Sequence, residues 1–101
     1  MTILTATTFF QRLKGLLGRS SFPPDTLLLF PNSGSVHTFF MRFPIDILFL
    51  DADYKILRIR RNVPPFRLCL APRGTRHVAE AASGWLPPDS TLIGFKIAQV
   101  F

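Results

Sequence analysis

Proline punctuates this chain so often that long elements are ruled out. It stands at positions 23, 24, 31, 44, 64, 65, 72, 87 and 88, and each proline removes a backbone donor and fixes φ. The segments between them suit short strands joined by turns around one interior. At 101 residues the chain matches one ordinary domain, residues 1–101, without room for two cores of useful size. Hydrophobic residues make up 48% of it and 11 are Phe. Since a fully buried Phe contributes roughly 2–3 kcal/mol, a handful of them offsets the ordering entropy of so short a chain.

One segment reads as helix. Phe9, Leu13, Leu16 and Leu17 share a helical face, Thr8 and Gln11 fit a capping box, and Gly18 suits a left-handed stop. Strands are expected at Thr26–Phe30, Val36–Met41, Ile45–Leu50, Lys55–Arg61, Arg67–Leu70, His77–Ala81 and Thr91–Val100. The polar turn Asp51–Tyr54 joins two of them, so Ile45–Arg61 reads as a β-hairpin. On its second strand Arg58 and Arg60 share a face, because side chains alternate with period two, and Leu57 with Ile59 take the other. The expected fold is mainly β: a small β-sandwich or partly closed, jelly-roll-like barrel with one short N-terminal helix.

Twelve basic residues against six acidic ones give a net charge of +6, which favours acidic partners. Lys55, Arg58, Arg60, Arg61, Arg67, Arg73 and Arg76 crowd into residues 55–76, where no Asp or Glu occurs. No apolar run approaches the ~18 residues of a membrane span. Met1–Phe10 lacks the pattern of a signal peptide, and the lone Cys69 has no intramolecular disulfide partner. These features together lead to the expectation of a soluble, cytoplasmic protein.

One ordered string is distinctive: Arg12, Gly15, Leu16, Leu17, Gly18, Arg19, then His37, Thr38, Phe39, Met41, Arg42, Phe43, Pro44, Ile45, Asp46, then Phe49, Leu50, Asp51. It resembles domain of unknown function 192, also known as an uncharacterised protein family, and the resemblance continues through Asn62, Pro65, Arg67, Glu80 and Gly84. It implies a compact β-sandwich or jelly-roll with a short helix, and it implies no established activity. Two positions depart from the family pattern. Tyr54 stands where a turn Gly is common, and Pro88-Asp89 replaces the usual Gly-Asp. A left-handed Tyr54 would cost about 1 kcal/mol.

His37, Thr38, Met41, Arg42 and Asp46 concentrate polar groups in an apolar segment, where they must pair internally or line a pocket. Structural pairing is the stronger expectation for Asp46, with an arginine or with backbone N–H groups near Pro44. Glu80, flanked by alanines, is expected to pair with Arg76 or Arg12. A Cys69 nucleophile activated by His37 or His77 lacks any supporting signature, and the thiol's apolar neighbours favour a structural role. His37, His77, Cys69 and the scattered carboxylates lack the spacing of recurring zinc sites. No cofactor or catalytic residue is therefore assigned.

The leading expectation is a non-catalytic binding or accessory module. Its binding residues would be Arg12, His37, Thr38, Met41, Arg42, Asp46, Arg67 and Glu80, taking a small acidic ligand or a protein partner. A small hydrolase-like enzyme using Asp46 or Glu80 with His37 is the alternative from another class. Weak nucleic-acid binding through Arg58, Arg60 and Arg61 ranks below both, because no phosphate loop or recognition motif supports it.

Overall fold

A computed structural model describes residues 2–5, 25–34, 36–37, 43–65 and 67–101. The chain is mainly β. Strands run β1 Thr2–Thr5, β2 Thr26–Phe30, β3 Val36–His37, β4 Ile45–Leu50, β5 Ile56–Val63, β6 Leu68–Cys69 and β7 His77–Ala82, followed by a 3₁₀ turn Asp89–Thr91 and helix α1 Ile97–Val100. Five strands form one sheet in the order β1-β2-β7-β4-β5, and β3 pairs with β6 in a separate two-stranded sheet. The pairing is antiparallel except between β1 and β2.

The expected barrel closure is corrected here. β1 and β5 are the edges of an open sheet and do not pair with each other. The N-terminal helix expected over residues 8–18 lies outside the described residues.

Both sheet faces are covered. The front face carries Leu28, Ile45, Ile47, Phe49 and Val78, with Phe43, Val63 and Cys69 packed among them. The back face carries Leu27, Leu29, Leu48, Leu50, Ile56, Ile59, Ala79 and Ala81, covered by Leu86, Leu92 and Ile97. β4 is buried at all six positions, which is why Ile45–Leu50 reads as a nearly continuous apolar run rather than an alternating one.

The segment Thr91–Val100, expected as a strand, folds differently. Its buried residues Leu92 and Ile97 are five positions apart, a spacing no strand produces. After the paired prolines, the carbonyl of Pro88 accepts from the Thr91 N–H and hydroxyl and starts a turn. Gly94 then takes φ 91°, and Gln99 caps the short helix by accepting the Lys96 N–H. Among the described residues one bridge, between Lys55 and Lys96, ties this segment to the sheet as a strand would.

The β4–β5 hairpin forms as the sequence indicates, with two irregularities in register. One leaves Leu57 unpaired, so Ile56 and Ile59 face the back while Arg58 and Arg60 share the front. In its turn, Asp51 Oδ1 accepts the N–H groups of Asp53 and Lys55. Those bonds hold the Asp51 carboxyl below its ordinary value, the Lys55 N–H being the largest cause. Tyr54 sits at φ 63°, and its ring stacks on His77 with centroids 4.0 Å apart and planes 1° from parallel.

The stack outweighs the backbone strain. Replacing Tyr54 by Gly relieves about 1 kcal/mol but forfeits about 0.5–1.5 kcal/mol of ring stacking and roughly 1–2 kcal/mol of apolar burial. Tyr54→Gly is therefore expected to lower stability by about 1–2 kcal/mol in urea unfolding. A variant more stable than the parent would show that strain dominates.

Candidate functional site

The two buried carboxylates occupy opposite faces of the sheet. Asp46 pairs with Ala81 across the β4–β7 ladder and Ile47 pairs with Glu80, so alternation sends Asp46 to the back and Glu80 to the front. They cannot act as a paired acid and base on one substrate.

Asp46 is fully engaged by its own chain. Only 1% of it is exposed; Oδ1 accepts the Asn62 N–H at 2.8 Å and Oδ2 the Gly84 N–H at 3.3 Å. The second irregularity of the hairpin lies here: Ile45 pairs with Val63 and Ile47 with Arg60, so Arg61 and Asn62 both oppose Asp46. Asn62 takes φ 53° in this bulge, and its Oδ1 accepts the Ser83 hydroxyl at 2.8 Å. Asp46 thus binds backbone N–H groups, as the structural reading of the sequence required, but on β5 and beyond β7 rather than near Pro44.

Glu80 is the opposite case. It stands on β7 between Leu28 of β2 and Ile47 of β4, is 7% exposed, and makes no hydrogen bond or ion pair with a described residue. The pairing with Arg76 expected from sequence is not formed, and Arg12 lies outside the described residues. Removal from water raises the Glu80 carboxyl from 4.5 to about 7.

Of the other expected site residues, Arg12, Thr38, Met41 and Arg42 lie outside the described residues. His37 stands on β3 opposite Leu68. The neighbouring residue of β6, Cys69, is buried in the front cluster, which places the small sheet over the Glu80 face. Arg67 is exposed just before β6.

The three arginines of the basic segment separate into two groups. Arg61 leaves the set: Nε donates to Asp89 Oδ1 at 2.8 Å, and the guanidinium also donates to the carbonyls of Leu86 and Pro87. Arg58 and Arg60 remain exposed at the front edge. His77, weighed in the sequence only as a partner for Cys69, is buried with Nδ1 accepting the Asn32 N–H at 3.0 Å. Among the described residues no group of three or more His, Cys, Asp or Glu could hold a metal ion, and no helix is long and apolar enough to cross a membrane.

The same chain order is found in known proteins. The family model DUF192, described as "Uncharacterized ACR", matches residues 1–98. The chain belongs to this family. A DUF192 relative, the UPF0127 protein of Thermococcus sibiricus, is 28% identical over 96 residues, covering 91% of this chain and 62% of its own length. The chain thus spans less than two thirds of that relative. Two solved structures share the fold with a TM-score of 0.61 each. One is a protein of unknown function from Novosphingobium aromaticivorans, 22% identical, with 81% of this chain and 61% of that one covered. The other, from Sinorhizobium meliloti, was solved as a candidate transcription regulator and is 24% identical, with 81% and 67% covered.

Two variants separate the roles of the carboxylates. Asp46→Ala strands two buried N–H groups and is expected to cost about 2–4 kcal/mol in chemical unfolding; a loss below about 0.5 kcal/mol would contradict the staple role. Glu80 has a folded value above its unfolded one, so the folded state binds the extra proton between them. Its contribution to stability is full below pH ~4.5 and declines as pH rises through about 7, by roughly 3 kcal/mol in all. Glu80→Gln should flatten that part of the stability–pH curve, and an unchanged curve would remove Glu80 as its source.

Proposed function

We propose that residues 1–101 form one non-catalytic binding or accessory domain whose ligand site involves Glu80 on the front face of the sheet together with the polar segment His37–Asp46. One observation supports this reading above the others: a carboxyl nine-tenths buried at the centre of a sheet and bonded to no described residue. A buried carboxyl whose titration is pushed up to about 7 is a candidate functional group on physical grounds. The opposite placement of Asp46 argues against the hydrolase-like alternative built on both carboxylates, and the engagement of Arg61 subtracts a cation from the nucleic-acid alternative. The buried thiol of Cys69, without a second cysteine, fits a reducing compartment and the cytoplasmic setting read from sequence.

A group retained for binding at the expense of stability has a testable signature. Glu80→Leu, which fills similar space with apolar atoms, is expected to raise the Tm at pH ~8 by several degrees, since it removes a carboxylate whose charge burial disfavours. The same variant should lose the Tm increase that a thermal-shift screen of small metabolite acids, amines and sugars finds for the parent chain. If Glu80→Leu instead unfolds more easily than the parent, Glu80 belongs to the fold's own bonding and the binding reading fails.

A further inference from the structure

Two leucines stand out from the small sheet. Burial alternates over Leu68, Cys69 and Leu70: the thiol enters the front cluster, so the two leucines are turned to the opposite side. They are 61% and 73% exposed, against 41%, 41% and 46% for Ile3, Ile93 and Phe95, the other exposed large apolar residues among those described. Arg67 precedes the pair and Arg73 follows it, both exposed, so residues 67–73 form an apolar step bracketed by two cations.

The fold fixes this segment beside further cations. Beyond Leu70, Ala71 packs against the front cluster, and the turn that presents Arg73 is closed by the Thr75 N–H and hydroxyl, which donate to the carbonyl of Pro72 at 3.2 and 2.7 Å. A Cβ at Gly74 would stand 3.7 Å from Leu57 Cδ1, which sets the turn against β5, where Arg58 and Arg60 are exposed on the front side. No Asp or Glu occurs anywhere in residues 55–76.

We propose that residues 67–73 are a docking point for an anionic lipid surface: Leu68 and Leu70 insert at the headgroup boundary, Arg67 and Arg73 meet the headgroups, and Arg58 and Arg60 add charge from the neighbouring edge. Two protruding leucines are too small an anchor for a stable protein interface, which takes about 20–30 residues from each partner. A bilayer boundary, by contrast, accepts apolar side chains without a complementary cavity. The sign of the headgroups follows from the charge, since each arginine held near an anionic leaflet favours binding roughly fivefold. The leucines point away from the sheet that carries Glu80, so lipid docking and ligand binding at Glu80 stand or fall separately.

The test is co-sedimentation of the whole chain with vesicles of phosphatidylcholine alone and of phosphatidylcholine with about 30% phosphatidylglycerol. The parent should bind the anionic vesicles and not the neutral ones, and the bound fraction should fall as NaCl rises from about 0.1 M to about 0.5 M. Leu68→Ser combined with Leu70→Ser should weaken binding at least about tenfold while the Tm stays within about 2 °C of the parent, because both side chains are exposed. Arg73→Ala should weaken it roughly fivefold. Four results overturn the proposal. The first two are no binding to the anionic vesicles, and a double serine variant that binds as the parent does, which would leave net charge as the whole cause. The third is a parent dimer in sedimentation velocity that dissociates in the double variant, which would assign the leucines to a second copy of the chain. The fourth is a Tm loss above about 5 °C in that variant, which would assign them to the fold's own packing.

Discussion

The fold depends on the way one carboxylate fixes the central strand between its two neighbours. β4 is buried on both faces and flanked by β7 and β5, so its register decides which residues enter which layer. A slip of one residue would move Asp46 to the front face and Ile47 to the back. Apolar side chains alone specify that register poorly, because nearly every position of β4 is apolar and either face would accept most of them. Asp46 breaks the degeneracy. Its two oxygens reach Asn62 on β5 and Gly84 just beyond β7, so a single buried side chain ties both neighbours to one alignment. Charge-assisted bonds of this kind are worth about 1.5–3 kcal/mol each, and misalignment would lose both while leaving the carboxylate buried and unpaired.

That alignment creates the asymmetry between the faces. Once Asp46 is fixed at the back, Glu80 must face the front, where its neighbours on β2 and β4 are Leu28 and Ile47. The chain thus holds two buried acids in different states, one held by two backbone donors and one bonded to no described residue. The first is understandable as part of the fold. The second lowers stability at neutral pH, and a fold this small has few kcal/mol to lose. A buried carboxyl with a raised titration is the kind of group a functional site uses, which is why the proposed reading centres on the front face.

What could be read from the sequence follows the same division. Ile45–Leu50 and Thr26–Phe30 were legible because short apolar runs bounded by Pro and Asp have few other uses, and the hairpin turn at Asp51–Tyr54 declared itself through its polar residues. The structural role of Asp46 was legible in kind but not in partner, since Gly84 is 38 positions away and meets it only through sheet order. The front-face placement of Glu80 was not legible at all: it depends on which face β7 presents, and that is set by pairing rather than by local sequence. Thr91–Val100 misled because β-branched and aromatic residues favour strands on average, while the turn at Pro88 and the left-handed Gly94 decide the backbone there. β1 went unread because Thr2–Thr5 is a short, largely exposed edge strand with little apolar pattern to reveal it.

The arrangement at the opposite edge explains why Arg58 and Arg60 are available while Arg61 is not. β5 is an edge strand, and an unprotected edge offers its backbone to any other strand. The C-terminal segment covers both of its ends. Phe95 and Gly94 bond to Ile56 at one, and the guanidinium of Arg61 is clamped by Asp89 and the carbonyls of Leu86 and Pro87 at the other. Between these two ties lie Arg58 and Arg60, whose charge discourages a neighbouring strand without needing any partner of its own. Protection of the edge therefore leaves Arg58 and Arg60 exposed on the front face, which also holds Glu80. A constraint that belongs to folding has set the electrostatic character of this edge.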